Sequence, residues 1–362
     1  AEFGLAKIIP PPEWNQRKSG WFESSIRRLT IPAPIKQHVT GMKGIFQQTN
    51  VLEKPMRVSK FREVAEQHKQ HRLPAISDEE IERRFWKNIR FEPPLYGADM
   101  RGSLFPKNLY HWNVSRLTEQ NLLKHLASDV DGVTNSYLYF GMWKAMFSWH
   151  TEDMDLFSIN YLHFGEPKRW YVIPESERQR FEQFVSGHYP DQLRSCKNFL
   201  RHKMTMISPS IIKAASITIY TGVQREGEFI ITFPGAYHAG FNHGFNCAES
   251  LNFAVESWIS RGLKATFCEC SKNKDGVSDS VHIDMAIFLK NYREYSEQHK
   301  EEEIEQESSF PVPSYELDHF ESGSEDDEPI SITIALPGAK KSIGKKKKKK
   351  KISHTITKSR IK

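Results

Sequence analysis

The residues best suited to chemistry are His150-Thr151-Glu152 and the two histidines in Tyr237-His238-Ala239-Gly240-Phe241-Asn242-His243. In extended backbone, side chains two apart share a face, so the His150 imidazole and the Glu152 carboxylate can reach one metal ion. A third ligand from His238 or His243 completes two histidines and one carboxylate. That donor set leaves positions open and suits non-haem Fe(II). Zinc hydrolases also use two histidines and a glutamate, but no His-Glu-x-x-His stretch occurs in this sequence. The triplet alone discriminates little. With 15 histidines and 45 acids, about two His-x-Asp/Glu triplets arise from composition, and four occur. The others begin at His282, His299 and His319. The first falls on an expected helix, where positions i and i+2 diverge, and the other two lie in or beside an acidic tail. Ordinary core histidines remain the alternative at His150.

A second set is Cys196, His202, Cys268 and Cys270. With four cysteines in the chain, a Cys-x-Cys spacing arises by chance about once in thirty such sequences. Three thiolates and one imidazole make a closed tetrahedral Zn(II) site, which is structural. The spacing is not that of a zinc finger, so the expectation is a clamp between two distant segments. Unrelated buried thiols are the alternative, and Cys247 reads as a small core residue. Four cysteines also exclude a disulfide-built scaffold.

These residues need a scaffold. Aromatic and β-branched runs predict strands over 137–140, 157–164, 169–173, 217–220, 229–233 and 250–255. Ser77 with Glu80 is a capping-box pattern, followed by Ile81, Phe85 and Ile89 at helical spacing. Further helices are expected over 117–126, 175–185 and 281–292. Many short strands without alternating helices argue for a mainly β domain with helices packed around it, a sandwich or barrel. Residues 13–75 read as a mixed stretch punctuated by loops, and residues 4–9 as the end of an element.

The chain has 362 residues and a net charge of +6. Twelve acidic side chains fall between Glu301 and Glu328 and twelve basic ones between Lys340 and Lys362, so the preceding 300 residues carry the whole excess. Such blocks of like charge predict a disordered tail. Its run Lys345 to Lys351 reads as a nuclear-import or nucleic-acid patch, or simply as a solvated tail. No run of 18 apolar residues occurs, so no segment reads as a membrane-spanning helix.

The string Tyr137 to Gly141, Phe147 to Asp155, Ser158 to Gly165 and Pro167-Lys168, together with Tyr237 to Phe253, closely resembles the Jumonji-C histone lysine demethylases that act on trimethyl-lysine and carry a JmjN segment. The resemblance covers about residues 4–295. It implies a double-stranded β-helix, the cupin-like jelly roll. It divides the chain into the C-terminal part of a JmjN segment (1–20), a mixed region packing on the core (21–115), the JmjC jelly roll (116–265), a zinc-ligand segment with a C-terminal helix (266–300) and the charged tail (301–362). A JmjN segment starting at residue 1 would lack its front half, so a longer parent chain is expected.

By the same resemblance, His150, Glu152 and His238 would hold Fe(II), which selects His238 over His243. The co-substrate 2-oxoglutarate would be held by Tyr96 and Lys168 with help from Asn160, between the walls Phe147 and Trp170. Structural zinc would sit on Cys196, His202, Cys268 and Cys270. The methylammonium pocket would be formed by Gly132, Tyr139, Glu152 and Ser250 with Asn252 nearby, and Asp99 and Tyr137 would bind the histone H3 tail. Leu251 departs from the threonine common in the family, which would narrow that pocket or alter the preference among methylation states. Ser271 replaces an arginine of some members and would favour lysine 9 of H3 over lysine 36. The implied activity is oxidative demethylation of tri- and dimethyl-lysine on the H3 tail, in the nucleus. The nucleosome would be the partner, with non-specific DNA contact through the lysine-rich tail and no membrane association. A non-catalytic histone- or DNA-binding module and a protein hydroxylase are the competing readings.

Overall fold

A computed structural model describes residues 2–11, 14, 26–68, 77–119, 121–130, 133–268, 270 and 281–308. The tail beyond residue 308, Gly132 and Ser271 lie outside the described residues. The strands are β1 (Leu5–Ile8), β2 (Thr30–Ile31), β3 (Ile35–Met42), β4 (Ile45–Leu52), β5 (Met56–Arg57), β6 (Leu95–Arg101), β7 (Tyr137–Gly141) and β8 (Met146–His150). They continue with β9 (Phe157–Gly165), β10 (Lys168–Ile173), β11 (Thr205–Ile207), β12 (Tyr220–Gln224), β13 (Phe229–Thr232), β14 (Tyr237–Asn242) and β15 (Asn246–Phe253).

The larger sheet runs β1-β13-β9-β15-β7-β6-β3-β4-β11 and the smaller β12-β10-β14-β8, while β2 pairs with β5. Pairing is antiparallel throughout, as at β9–β15 and β10–β14. The two larger sheets form the jelly-roll sandwich that the sequence predicts. Residues 4–9 are not the frayed end of an element: β1 pairs with β13 and forms the edge of the larger sheet. Within the mixed stretch before residue 75, β3 and β4 form a hairpin of two eight-residue strands. Their polar alternation, Lys36, Gln37, His38 and then Gln47, Gln48, hides the strand signal.

The helices are α1 (Val58–Gln67), α2 (Asp78–Asn88), α3 (Arg178–His188), α4 (Pro190–Ser195), α5 (Pro209–Ala214), α6 (Ile259–Gly262) and α7 (Met285–Ser308). Ser77 caps α2 by accepting from the Glu80 backbone N–H at 3.3 Å, as its capping box predicts. Residues 117–126 depart from the expected α-helix. They form parts of two 3-10 turns, Val114–Glu119 and Leu122–His125, because Asn121 between them turns its side-chain oxygen onto the Leu123 and Ala254 N–H groups. The C-terminal helix begins at Met285, so His282 precedes it and packs edge-on against Phe267.

The largest apolar cluster packs helices onto the outer face of the smaller sheet, and three further clusters lie elsewhere among the described residues. Phe85 of α2 stacks on Phe241 of β14 at 3.9 Å, and Phe181 of α3 packs against Trp149 and Tyr237. Arg169 of β10 is ion-paired to Glu82 of α2. The opposite, inward face of the smaller sheet instead buries polar side chains: Lys168, His238, Asn242 and, from the edge strand, Gln224. Burying that many polar groups costs free energy unless each finds a partner or a ligand.

Candidate functional site

Two β-bulges aim the interior. Between β8 and β14 the register pairs His150 with His238 and Phe147 with Gly240, so β8 carries one extra residue. The bulge turns both Phe147 and His150 to the inner face, which simple alternation would forbid. Gly240 is required here, since a Cβ would lie 2.4 Å from the Phe147 ring and 2.0 Å from the Arg169 carbonyl. Between β6 and β7 a second irregularity separates Gly97 from Met100. Within it Asp99 adopts φ +57°, and its carboxylate accepts from the Tyr139 hydroxyl. Tyr96 lies on the same side, its ring 6.2 Å from that of Tyr139.

His150, Glu152 and His238 converge, their ligand atoms within 4.8 Å of one another. β8 ends at His150, yet Glu152 keeps an extended backbone and so returns to the same side. His150 Nδ1 lies 2.6 Å from the Ser148 carbonyl and His238 Nδ1 3.2 Å from the Ala236 carbonyl. A carbonyl only accepts, so each Nδ1 carries the proton and each Nε2 presents a lone pair. Burial, reinforced by the charges of His238 and Lys203, holds the His150 imidazole well below its ordinary pKa, in the neutral form a metal needs. His238 Nε2 faces Glu152 Oε1 at 3.3 Å. Such a contact holds only with a cation between the two atoms, a proton on the ring or a metal ion in its place, so the donor set fits a metal ion.

The turn after Glu152 is held hard. Met154 and Asp155 both have positive φ, a strained conformation for such residues. Asp155 accepts from Thr151 at 2.9 Å, Arg201 at 2.9 Å and Arg178 at 2.7 Å, while Arg201 also donates to the Glu152 carbonyl at 2.7 Å. Asn252 donates to Glu152 Oε2 at 3.1 Å. His243 stays away from this centre. It is buried, stacked on Phe241, and faces Asp78 of α2.

Beyond the triad, Phe147 and Trp170 pack edge to face at 4.7 Å, and Lys168 Nζ lies 5.4 Å from the Phe147 ring and 5.9 Å from that of Tyr96. Lys168 donates to Asn242 Oδ1 at 2.7 Å, and Tyr96 is also hydrogen-bonded to Asn242. Burial draws the Lys168 ammonium down to about 7. Asn160 reaches the same interior from β9 of the facing sheet. Ser250 donates to the Ile159 carbonyl at 3.0 Å, and Tyr137 begins β7, paired with Ser250 and Arg101. Leu251 does not narrow this pocket. On the strand face opposite Ser250, it packs with Phe105, Val114, Tyr161 and Phe229.

Cys196, His202, Cys268 and Cys270 also gather, within 4.8 Å of one another and with no disulfide between the cysteines. Cys196 and Cys268 Sγ are 3.7 Å apart, and His202 Nε2 is 3.0 Å from Cys268 Sγ. Burial and then the neighbouring Cys270 and Cys268 push the Cys196 thiol up to about 12. Thiols so crowded cannot ionise together without a cation among them, which fits zinc.

Four neighbours were not legible in the sequence. Asn242 was passed over for the histidine beside it, and Gln224, Arg201 and Lys203 belong to no motif. Lys203 directly follows His202 in a left-handed conformation. Burial acts to lower its pKa, but Asp153, Glu152 and Asp99 more than offset this and keep it raised.

A jelly roll whose inner face brings together two histidines and a glutamate beside a buried lysine is the arrangement of a JmjC domain, and the model of the JmjC domain, hydroxylase, matches residues 137–253. The chain is 48% identical over 290 residues to lysine-specific demethylase 4B of Mus musculus, covering 79% of this chain and 26% of that protein. It is 47% identical over 282 residues to lysine-specific demethylase 4D of Rattus norvegicus (77% of this chain, 55% of the relative). Against probable lysine-specific demethylase 4F of Homo sapiens the identity is 46% over 271 residues (74% and 42%). The chain belongs to the JmjC family, in its JmjN-containing lysine-specific demethylase 4 type. It spans between about a quarter and just over half of these relatives' lengths.

Proposed function

We propose that this chain is an Fe(II)- and 2-oxoglutarate-dependent demethylase of tri- and dimethylated lysine on the histone H3 tail, acting on the nucleosome in the nucleus. Lysine 9 is the favoured position and lysine 36 the second. The reading is carried by the His150–Glu152–His238 triad lying beside a buried lysine, Lys168, on the same inner face of the smaller sheet, next to the Phe147 and Trp170 rings. A bound iron centre with its co-substrate would supply O2-dependent hydroxylation of an N-methyl group, which is lost as formaldehyde while 2-oxoglutarate becomes succinate and CO2.

Each residue has a task around that chemistry. His150, Glu152 and His238 hold the metal by three positions and leave the others free. Lys168 neutralises the far carboxylate of the dicarboxylate, Tyr96 and Asn160 donate to it, and Phe147 and Trp170 exclude water. Tyr139, Ser250, Asn252 and the Gly132 backbone would surround the methylated ammonium with oxygens, and Glu152 adds its charge. Asp99, with Tyr137 nearby, gives the entrance an acidic residue for a cationic tail. Burial pushes the Asp99 carboxyl up, with Lys203 opposing, so a cationic partner would also fix its ionised form. Zinc on Cys196, His202, Cys268 and Cys270 would tie residues 266–270 to the roll. Residues 1–20 are taken as the end of a JmjN segment and the lysine run 345–351 as a DNA contact.

Incubation with Fe(II), ascorbate, 2-oxoglutarate and trimethylated H3 peptides tests this by mass spectrometry. Losses of 14 Da that require 2-oxoglutarate support it, and comparing peptides ranks the lysines. A gain of 16 Da without loss would make the chain a hydroxylase, and DNA binding without any turnover would make it a binding module.

A further inference from the structure

Gln224, a polar side chain that no motif accounts for, has no exposed surface. It ends β12, directly opposite Lys168 in the register of the smaller sheet. Its side chain crosses to the other sheet. Nε2 lies 3.1 Å from Asn160 O, 3.1 Å from Asn160 Oδ1 and 3.1 Å from the Glu228 carbonyl. Its Oε1 accepts from Trp170 Nε1 at 2.9 Å.

The sense of these bonds is fixed by chemistry. An indole N–H only donates, so the Gln224 atom facing Trp170 must be the oxygen. The amide nitrogen then faces Asn160 and the two backbone carbonyls, which only accept. Asn160 must therefore turn its own oxygen towards Gln224, which leaves its NH2 as the half available to the pocket. Reversing the Gln224 amide would set NH2 against N–H at Trp170 and oxygen against oxygen at two carbonyls, losing every bond at once. Each buried group left unsatisfied would bear its full desolvation penalty.

We infer that Gln224 is a positioning residue for the co-substrate. It transmits the donor-only character of Trp170 to Asn160, so that Asn160 meets an anionic ligand with N–H rather than with oxygen. The inference rests on the proposed reading of the pocket as a 2-oxoglutarate site. Within that reading it explains why an asparagine, whose two ends differ only in polarity, serves as a donor there.

The test is calorimetric binding of 2-oxoglutarate itself, with Mn(II) in place of iron so that nothing turns over. Gln224→Met keeps the volume and removes the polarity, and it should weaken 2-oxoglutarate binding about tenfold, the worth of one hydrogen bond to a charged group. Gln224→Glu presents only acceptors and guards against a folding failure of the first variant. It should invite Asn160 to turn its NH2 inward and its oxygen to the pocket, with a loss of at least the same size. In an Asn160→Ala background either substitution should change affinity by less than about twofold, because the group it acts through is gone. A purely structural role would not vanish there. Mn(II) affinity and the KM for peptide should stay close to wild type.

Binding of 2-oxoglutarate within twofold of wild type in folded Gln224 variants overturns the inference, as does a loss that persists undiminished with Asn160→Ala. Failure of the unaltered protein to bind 2-oxoglutarate would instead bring down the reading of the pocket, and the inference with it.

Discussion

The two metal-capable groups of this chain are built in opposite ways. His150 and His238 sit opposite each other on paired strands, and backbone carbonyls fix both rings before any ion arrives. The cysteine cluster has no strand beneath it. Cys196 follows the last turn of α4, His202 closes a 3-10 turn, and Cys268 lies 72 positions from Cys196 in irregular chain. In the first case the fold makes the site; in the second an ion would make the fold. An open triad on a rigid sheet suits chemistry, and a closed cluster on loops suits a clasp.

The sharpest way to break this contrast is to remove one ligand from each group. His150→Ala should reduce 2-oxoglutarate-dependent loss of methyl groups to background, while the thermal midpoint and zinc content stay near those of the unaltered chain. Cys268→Ser, or chelation of zinc, should do the reverse. A crosslink closing a loop of that length constrains the unfolded chain by about 4 kcal/mol. At about 2–4 °C per kcal/mol for a domain of this size, calorimetry should show the midpoint falling by about 8 °C or more. A thermal midpoint indifferent to zinc would mean that the clasp contributes nothing.

Arg201 tests whether the groups are independent. It precedes the cluster ligand His202 and donates to the Glu152 carbonyl and to Asp155. Arg201→Met should weaken Mn(II) binding at the triad about tenfold to a hundredfold, as the loss of an orienting partner does. Zinc, measured by elemental analysis, should remain. Parallel loss of both metals would show one coupled unit in place of two.

The sequence made these groups legible for different reasons. Cysteine is scarce here, so Cys268-x-Cys270 stands out by its types alone. His-x-acid triplets are common, so the His150 triplet stands out only through Phe147 and Trp149 before it and the aromatic, β-branched run at 157–164 after it. Alternation could not have placed Phe147 beside His150, because that depends on a bulge with no residue signature. The β3–β4 hairpin stayed hidden because Gln37 and Gln48 point inward as polar groups, bonding to the Met146 backbone and the Ser148 hydroxyl. Asn242 and Gln224 escaped for a related reason. An amide is unremarkable in a sequence, and only the identity of its partners makes it directional.

The smallest expected effect concerns the buried lysine beside the triad. Burial brings Lys168 down to about 7, Cys247 acting in the opposite direction. An unfolded lysine titrates near about 10.4, so between these values the unfolded chain holds more protons and this residue favours the fold increasingly as pH rises. A dicarboxylate asks for the opposite, the charged ammonium. Binding of 2-oxoglutarate should therefore take up a proton above pH 7. Its apparent affinity should fall about fivefold between pH 7 and pH 8, following the protonated fraction of a group with that pKa. Calorimetry with Mn(II) in two buffers of different ionisation enthalpy reads the proton directly, and Lys168→Met should bind weakly at both pH values with no such slope. Zinc retention, which involves no part of this pocket, should not change across the same range. A flat profile in the unaltered chain would mean that Lys168 is already charged before the ligand arrives, and that some other group holds its proton in place.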